Sequence, residues 1–132
     1  MTTAEKGQQL TGVGATALSD PTTYGALLGD GIGQVGMMQL AGDSPAALAA
    51  FANGVQRFLV EQTRLGIPAV LHNEALSGLC NAGYTVFPTA IGLSAAWDPA
   101  GVQEMADVIR RQMRAVGQTQ ALSPVVDVAR DA

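Results

Sequence analysis

A chain of 132 residues is one domain's worth or less, and 48% hydrophobic against 14% charged residues, with mean hydropathy +0.22, supplies a packed core and excludes a disordered chain. Seven Lys and Arg against eleven Asp and Glu leave a net charge of −4 with no basic stripe, which excludes a nucleic-acid-binding surface. No run of about 18 apolar residues is present to cross a membrane, and a single cysteine, Cys80, excludes an internal disulfide and a thiolate metal cluster.

The opening residues Met1-Thr2-Thr3-Ala4-Glu5-Lys6 carry no basic stretch leading into an apolar one, so a cytoplasmic location is the expectation. Thr2 and Glu5 have the spacing of a capping box, and residues 2–10 are expected to open as a short helix. Residues 11–30 read as loop, punctuated by Gly12, Gly14, Pro21, Gly25 and Gly29. A first strand with its exit is expected over residues 32–40.

Within it, Gly31-Ile32-Gly33-Gln34-Val35-Gly36 matches G-x-G-x-x-G. A dinucleotide site needs a strand before those glycines and a helix after them, whereas here a loop precedes and a Met-rich, strand-like stretch follows. The glycines therefore read as permitting a tight start to the strand and close backbone approach, with a nucleotide-binding α/β protein as a minor alternative. Met37 and Met38 read as core filler.

Ser44-Pro45 signals a helix start, Ser as N-cap and Pro at the first helical position. Leu48, Phe51, Ala52, Val55, Leu59 and Gln62 fall on one face, and Gly66 followed by Pro68 marks the stop. The second strand is expected over residues 68–71, and residues 73–97 form a loop too long to be idle in a compact domain. Asp98-Pro99 repeats the cap-and-proline signal, with Val102, Met105, Ala106, Ile109, Met113 and Val116 as the apolar stripe and Gly117 as the stop. Trp97 reads as a packed indole at that helix start. A third strand is expected over residues 120–126.

Strands alternating with helices imply parallel pairing through right-handed crossovers, an α/β fold. Three strands do not close a (β/α)8 barrel, which needs roughly 250 residues. The fold class expected is α/β, with parallel β/α units forming the first part of a TIM-type barrel that is incomplete in this chain. Residues 1–30 form an N-terminal arm with a short helix, and residues 31–132 the first three strand–helix units.

The richest stretch is residues 66–88, where an apolar run ends abruptly in His72-Asn73-Glu74 and a Gly-bearing loop follows. That pattern suits a buried parallel strand delivering a carboxylate to the rim of a barrel. An ionised carboxylate accepts hydrogen bonds from adjacent sugar hydroxyls, so Glu74 is the candidate substrate-binding residue. The competing reading is a carboxylate that caps a helix or pairs with an arginine. His72, the only histidine, reads as a core or supporting residue holding a loop carbonyl, and no second His or Cys stands at metal-ligand spacing. Asp127 and Asp131 follow the third strand close to Arg130, and Asp127 could pair with Glu74 for glycosidase acid–base work, but an Asp–Arg turn network is the preferred reading.

Several segments resemble the N-terminal part of glycoside hydrolase family 3 in the family's own order. Glu5-Lys6 through Thr11 resembles its opening E-K-x-x-Q-L-T. Gly66-Ile67-Pro68 with His72-Asn73-Glu74-Ala75-Leu76-Ser77-Gly78 resembles G-I-P…H-[D/E]-E-x-L-H-G. Val86-Phe87-Pro88-Thr89-Ala90-Ile91-Gly92-Leu93 and Ala96-Trp97-Asp98-Pro99 resemble T-x-F-P-x-x-I-G-L…T-W-D-P. Arg130-Asp131 begins its R-D-P-R-W-G-R, with Ala132 where the family has Pro.

The resemblance implies a barrel domain, hydrolysis of terminal β-linked sugars with retention, and a β-glucoside or β-xyloside substrate, β-glucosidase being favoured. It implies that Glu74 accepts sugar hydroxyls, and that the nucleophile and the acid/base residue lie outside these 132 residues, so the chain alone is expected to be inactive. Ser77 stands where the family often has His and is assigned nothing, and Arg130 only a structural role. No catalytic residue, metal or cofactor is expected within the chain. The expected partners are the remainder of the barrel, on the same or a separate chain, and further copies pairing through open sheet edges. The alternative function is a non-catalytic half-barrel that assembles or binds sugar weakly.

Overall fold

The computed structural model describes residues 1–126 and Arg130. Four parallel strands form one sheet: β1 (Gly12–Gly14), β2 (Gln34–Gly36), β3 (Val70–Asn73) and β4 (Gln120–Ala121). Their spatial order is their chain order. A doubly wound sheet would reverse direction partway, whereas steady progress to one side is the winding of a barrel wall. Among the described residues no further strand lies beside β1 or β4, so the sheet is open at both edges.

The strand Gly12–Gly14 lies inside a stretch that reads as loop from its glycines. Glycine weakens strand propensity, and here the pairing partner decides: Gly12, Val13 and Gly14 stand opposite Gln34, Val35 and Gly36. The connection from β1 to β2 contains the short helix α2 (Tyr24–Leu28), making three crossovers rather than two. Strand β2 is shorter than expected because Met37, at φ 55, turns the chain into a 3-10 turn, Met38–Leu40.

The helix signals were local and are realised locally. In α1 (Thr3–Gln8) the Thr2 side chain accepts from the Glu5 backbone N–H, and Glu5 reaches back to the Thr2 N–H. In α3 (Pro45–Gln62) Ser44 accepts from the Ala47 N–H, and in α5 (Pro99–Ala115) Asp98 accepts from the Gly101 N–H. The loop before α5 also holds a short helix, α4 (Ala90–Ala95).

One face of the sheet is covered. Val13, Val35 and Leu71 stand in register across three strands, and Val35 and Leu71 share a core with Ala52, Val55 and Leu59 of α3 and with Leu18 and Leu28. A second core, Leu48, Ala75, Leu79, Ile109, Met113 and Val116, joins α3 to α5 and to the loop after β3. Because strand side chains alternate, Gly12, Gln34 and Val70, and then Gly14, Gly36, His72 and Gln120, occupy the opposite, concave face. That face is the one a barrel turns inward, and Val70 on it is 38% exposed.

Candidate functional site

Strand β3 runs apolar to its end because Leu71 is fully buried against the α3 layer, and it stops where Asn73 takes over the hydrogen bonding. The Asn73 side chain is buried: its Oδ1 accepts from the Glu74 backbone N–H at 3.0 Å, and its Nδ2 donates to the Leu79 carbonyl at 3.5 Å. The Asn73 carbonyl also accepts from the Leu122 N–H at 2.9 Å, on the β4 side. Glu74 thus leaves the sheet at its carboxyl end from a fixed backbone position. The next residue, Ala75, is buried and held at φ 58, so the chain turns sharply away beneath it.

Glu74 is exposed, and its carboxylate makes no hydrogen bond or ion pair among the described residues. It neither caps a helix nor pairs with an arginine. Glu74 is the first residue past the carboxyl end of β3, on which Val70 and His72 share the face away from α3.

The loop after β3 is built rather than slack. Leu79 is fully buried in the second core, the Phe87 N–H donates to the Ser77 carbonyl, and Gly78 at φ 97 sits where a Cβ would lie 2.7 Å from the Thr85 carbonyl oxygen. Asn81 Nδ2 donates to the carbonyls of Gln39 and Gly42 at 2.6 and 2.8 Å. That pair of bonds ties the loop after β3 to the corner between β2 and α3.

His72 does not hold a loop carbonyl, as the sequence reading had it. The ring is half-buried and lies over Gly36, at the end of β2: a Cβ there would stand 2.5 Å from Cε1 and 2.9 Å from Nε2. Its Nδ1 is buried with no partner among the described residues. This also explains Gly36 in the G-x-G-x-x-G run, which feeds a strand and then a 3-10 turn rather than a helix N-terminus. The dinucleotide alternative lacks the geometry it needs.

Trp97 is not a packed indole: it is 90% exposed, at φ 51, just before the Asp98 cap. Met38 is fully buried as core filler, but Met37 is exposed. An apolar cavity of about 370 Å³ opens between α4 and α5, lined by Phe87, Leu93, Val102, Met105 and Val108 among others. Glu74 does not line it, so this cavity and the candidate carboxylate do not coincide. Asp127 and Asp131 lie outside the described residues, and Arg130 is exposed.

A parallel sheet wound in one direction, helices on its outer face and a carboxylate at the strand ends define an α/β protein of the barrel-wall type. The sequence model of the glycosyl hydrolase family 3 N terminal domain matches residues 2–132, and the chain belongs to that family. It is 37% identical over 99 residues to a periplasmic beta-glucosidase/beta-xylosidase of Dickeya chrysanthemi, covering 69% of this chain and 15% of that protein. It is 36% identical over 87 residues to a putative beta-xylosidase of Formosa agariphila, covering 66% of this chain and 12% of that one. Among solved structures, a β-glucosidase of Erythrobacter marinus superposes with a TM-score of 0.80 at 30% identity, over 97% of this chain and 17% of that chain. The chain therefore spans less than a fifth of the length of these relatives.

Proposed function

We propose that residues 1–132 are the opening wall of a retaining β-glycosidase, of β-glucosidase type, that removes terminal β-linked sugars, and that Glu74 accepts hydroxyl hydrogen bonds from the bound pyranose. The observation that carries this reading is the placement of Glu74: a carboxylate at the carboxyl end of a central parallel strand, exposed and unpaired among the described residues. Strand ends at that face are where barrel enzymes gather their ligand contacts. The relatives' names, β-glucosidase and β-xylosidase, favour a glycoside as the ligand.

In such a reaction one carboxylate attacks the anomeric carbon, a carboxylic acid protonates the leaving oxygen, and water then releases the sugar from the covalent intermediate. Glu74 is neither of those groups in this reading. Its contribution is binding energy, part of it realised only as the sugar ring distorts. The nucleophile and acid belong to a further part of the barrel and its neighbours.

Two measurements test the proposal. The pure 132-residue chain releases no nitrophenol from aryl β-glucosides or β-xylosides, and release would overturn the assignment of the nucleophile to another segment. A methyl β-glycoside raises the thermal midpoint of the chain, and Glu74→Ala removes that increment while leaving the sugar-free midpoint in place. An increment that survives Glu74→Ala would show that the sugar is held elsewhere.

A further inference from the structure

Strand β3 leaves its next residue without a neighbour. Pairing with β2 runs as far as Leu71 and with β4 as far as Asn73, whose carbonyl takes the Leu122 N–H. The Glu74 N–H lies beyond that ladder, and the acceptor it finds is a side chain, Asn73 Oδ1 at 3.0 Å. One residue later the chain has already turned, with Ala75 held at φ 58. Glu74 is therefore an exposed residue between two buried ones, Asn73 at 3% and Ala75 at 5% exposure.

The Asn73 carboxamide suits that place in one orientation. Its Oδ1 meets the Glu74 N–H, and its Nδ2 meets the Leu79 carbonyl at 3.5 Å. Turned over, it would set N–H against N–H and oxygen against oxygen. Leu79 is fully buried in the core that joins α3 to α5, so the carboxamide ties Glu74 to a fixed part of the fold. An ionised aspartate could make the first bond but has no donor for the second, and an apolar side chain could make neither.

Resting on the sugar-site reading just given, we propose that Asn73 is a positioning residue that acts on bound sugar through Glu74. It touches no sugar itself. It fixes the backbone from which the Glu74 carboxylate springs, so less conformational freedom is lost when that carboxylate accepts a hydroxyl. The carboxylate has no hydrogen bond or ion pair of its own among the described residues, which leaves the backbone hold to set its place.

The test follows the 132-residue chain by amide hydrogen exchange and by titration with methyl β-glucoside. In wild type the Glu74 amide exchanges slowly for so exposed a residue. In Asn73→Ala it exchanges several-fold faster, while the Val70 amide, bonded to the Gly33 carbonyl, keeps its protection. Affinity for the glucoside falls about two- to tenfold, the span of one hydrogen bond's net worth. Asn73→Leu, which fills the space without a polar atom, takes the place of Asn73→Ala if that variant is unfolded at the assay temperature. Asn81→Ala is the control for a purely structural effect: it removes two hydrogen bonds from the same loop, lowers the thermal midpoint, and leaves both the Glu74 exchange rate and the affinity unchanged.

A Glu74 amide that exchanges equally fast in wild type and variant overturns the positioning role and leaves Glu74 as the sugar ligand. So does an affinity unchanged in the folded Asn73 variant, or an equal loss of affinity in Asn81→Ala. Binding that survives Glu74→Ala, or no binding by wild type, overturns the sugar site instead, and the Asn73 role with it.

Discussion

Arg64, just beyond the end of α3, grips Glu5 through Nε to Oε1 at 2.7 Å and Nη2 to Oε2 at 2.6 Å, and the Thr2 backbone N–H adds a third bond to Oε2. The Arg64 guanidinium first, and the Thr2 hydrogen bond second, lower the Glu5 carboxyl from 4.5 to about 2. A carboxyl whose folded-state value is depressed stabilises the fold above its unfolded value, and that contribution is lost as pH falls through the folded one. The midpoint of wild type should therefore exceed that of Glu5→Gln by a constant margin above pH 4.5, with the margin shrinking as pH approaches 2. Thermal melts of both proteins across that window check it; a margin that grows on acidification would contradict the assignment. Glu74 offers the contrast. Exposed and unpaired, it should be replaceable by Ala within about ±0.5 kcal/mol in urea unfolding without sugar. The sequence made Glu74 readable because an apolar run stopped at it. The Glu5–Arg64 clamp was not readable, since 59 residues separate its partners and no local pattern joins them.

Helices and strands differ in how much of their cause is local. Ser44-Pro45 and Asp98-Pro99 announce α3 and α5 because the cap, the fixed φ of proline and the first turn all lie within a few residues. Strand β1 is three residues with glycine at both ends, and only the register against β2 makes it a strand. The third expected strand likewise shrinks to Gln120–Ala121, because ladder bonds end where β3 ends. The loop after β3 behaves as an element in its own right, with Leu79 as its core residue and Asn81 as its tether. Leu79→Ala should cost about 2–5 kcal/mol by urea unfolding, the range for truncating a fully buried leucine. Asn81→Ala strips two carbonyls of their donor and should cost about 1–3 kcal/mol. If either variant unfolds like wild type, the loop is not packed as described.

For the molecule as a whole, the winding direction was legible and the closure was not. Alternating signals predicted parallel units, and the sheet is parallel throughout the described strands. What no pattern within these residues specifies is the partner for the outer edges of β1 and β4 or for the concave face with its exposed Val70. Unpaired strand edges are templates for another chain. Light scattering of the isolated chain should therefore show association that rises with concentration; one sharp monomer peak at all concentrations would argue that the edges are protected.

The order of the strands has a bearing on how the wall is made. Each strand pairs with the one that precedes it in the chain, so none is inserted between two strands that come earlier in the sequence. Growth from one side suits a chain emerging from the ribosome, where earlier residues are free to settle while later ones are still being added. It also means that each strand added presents a fresh unpaired edge, while the outer edge of β1 stays open from the start.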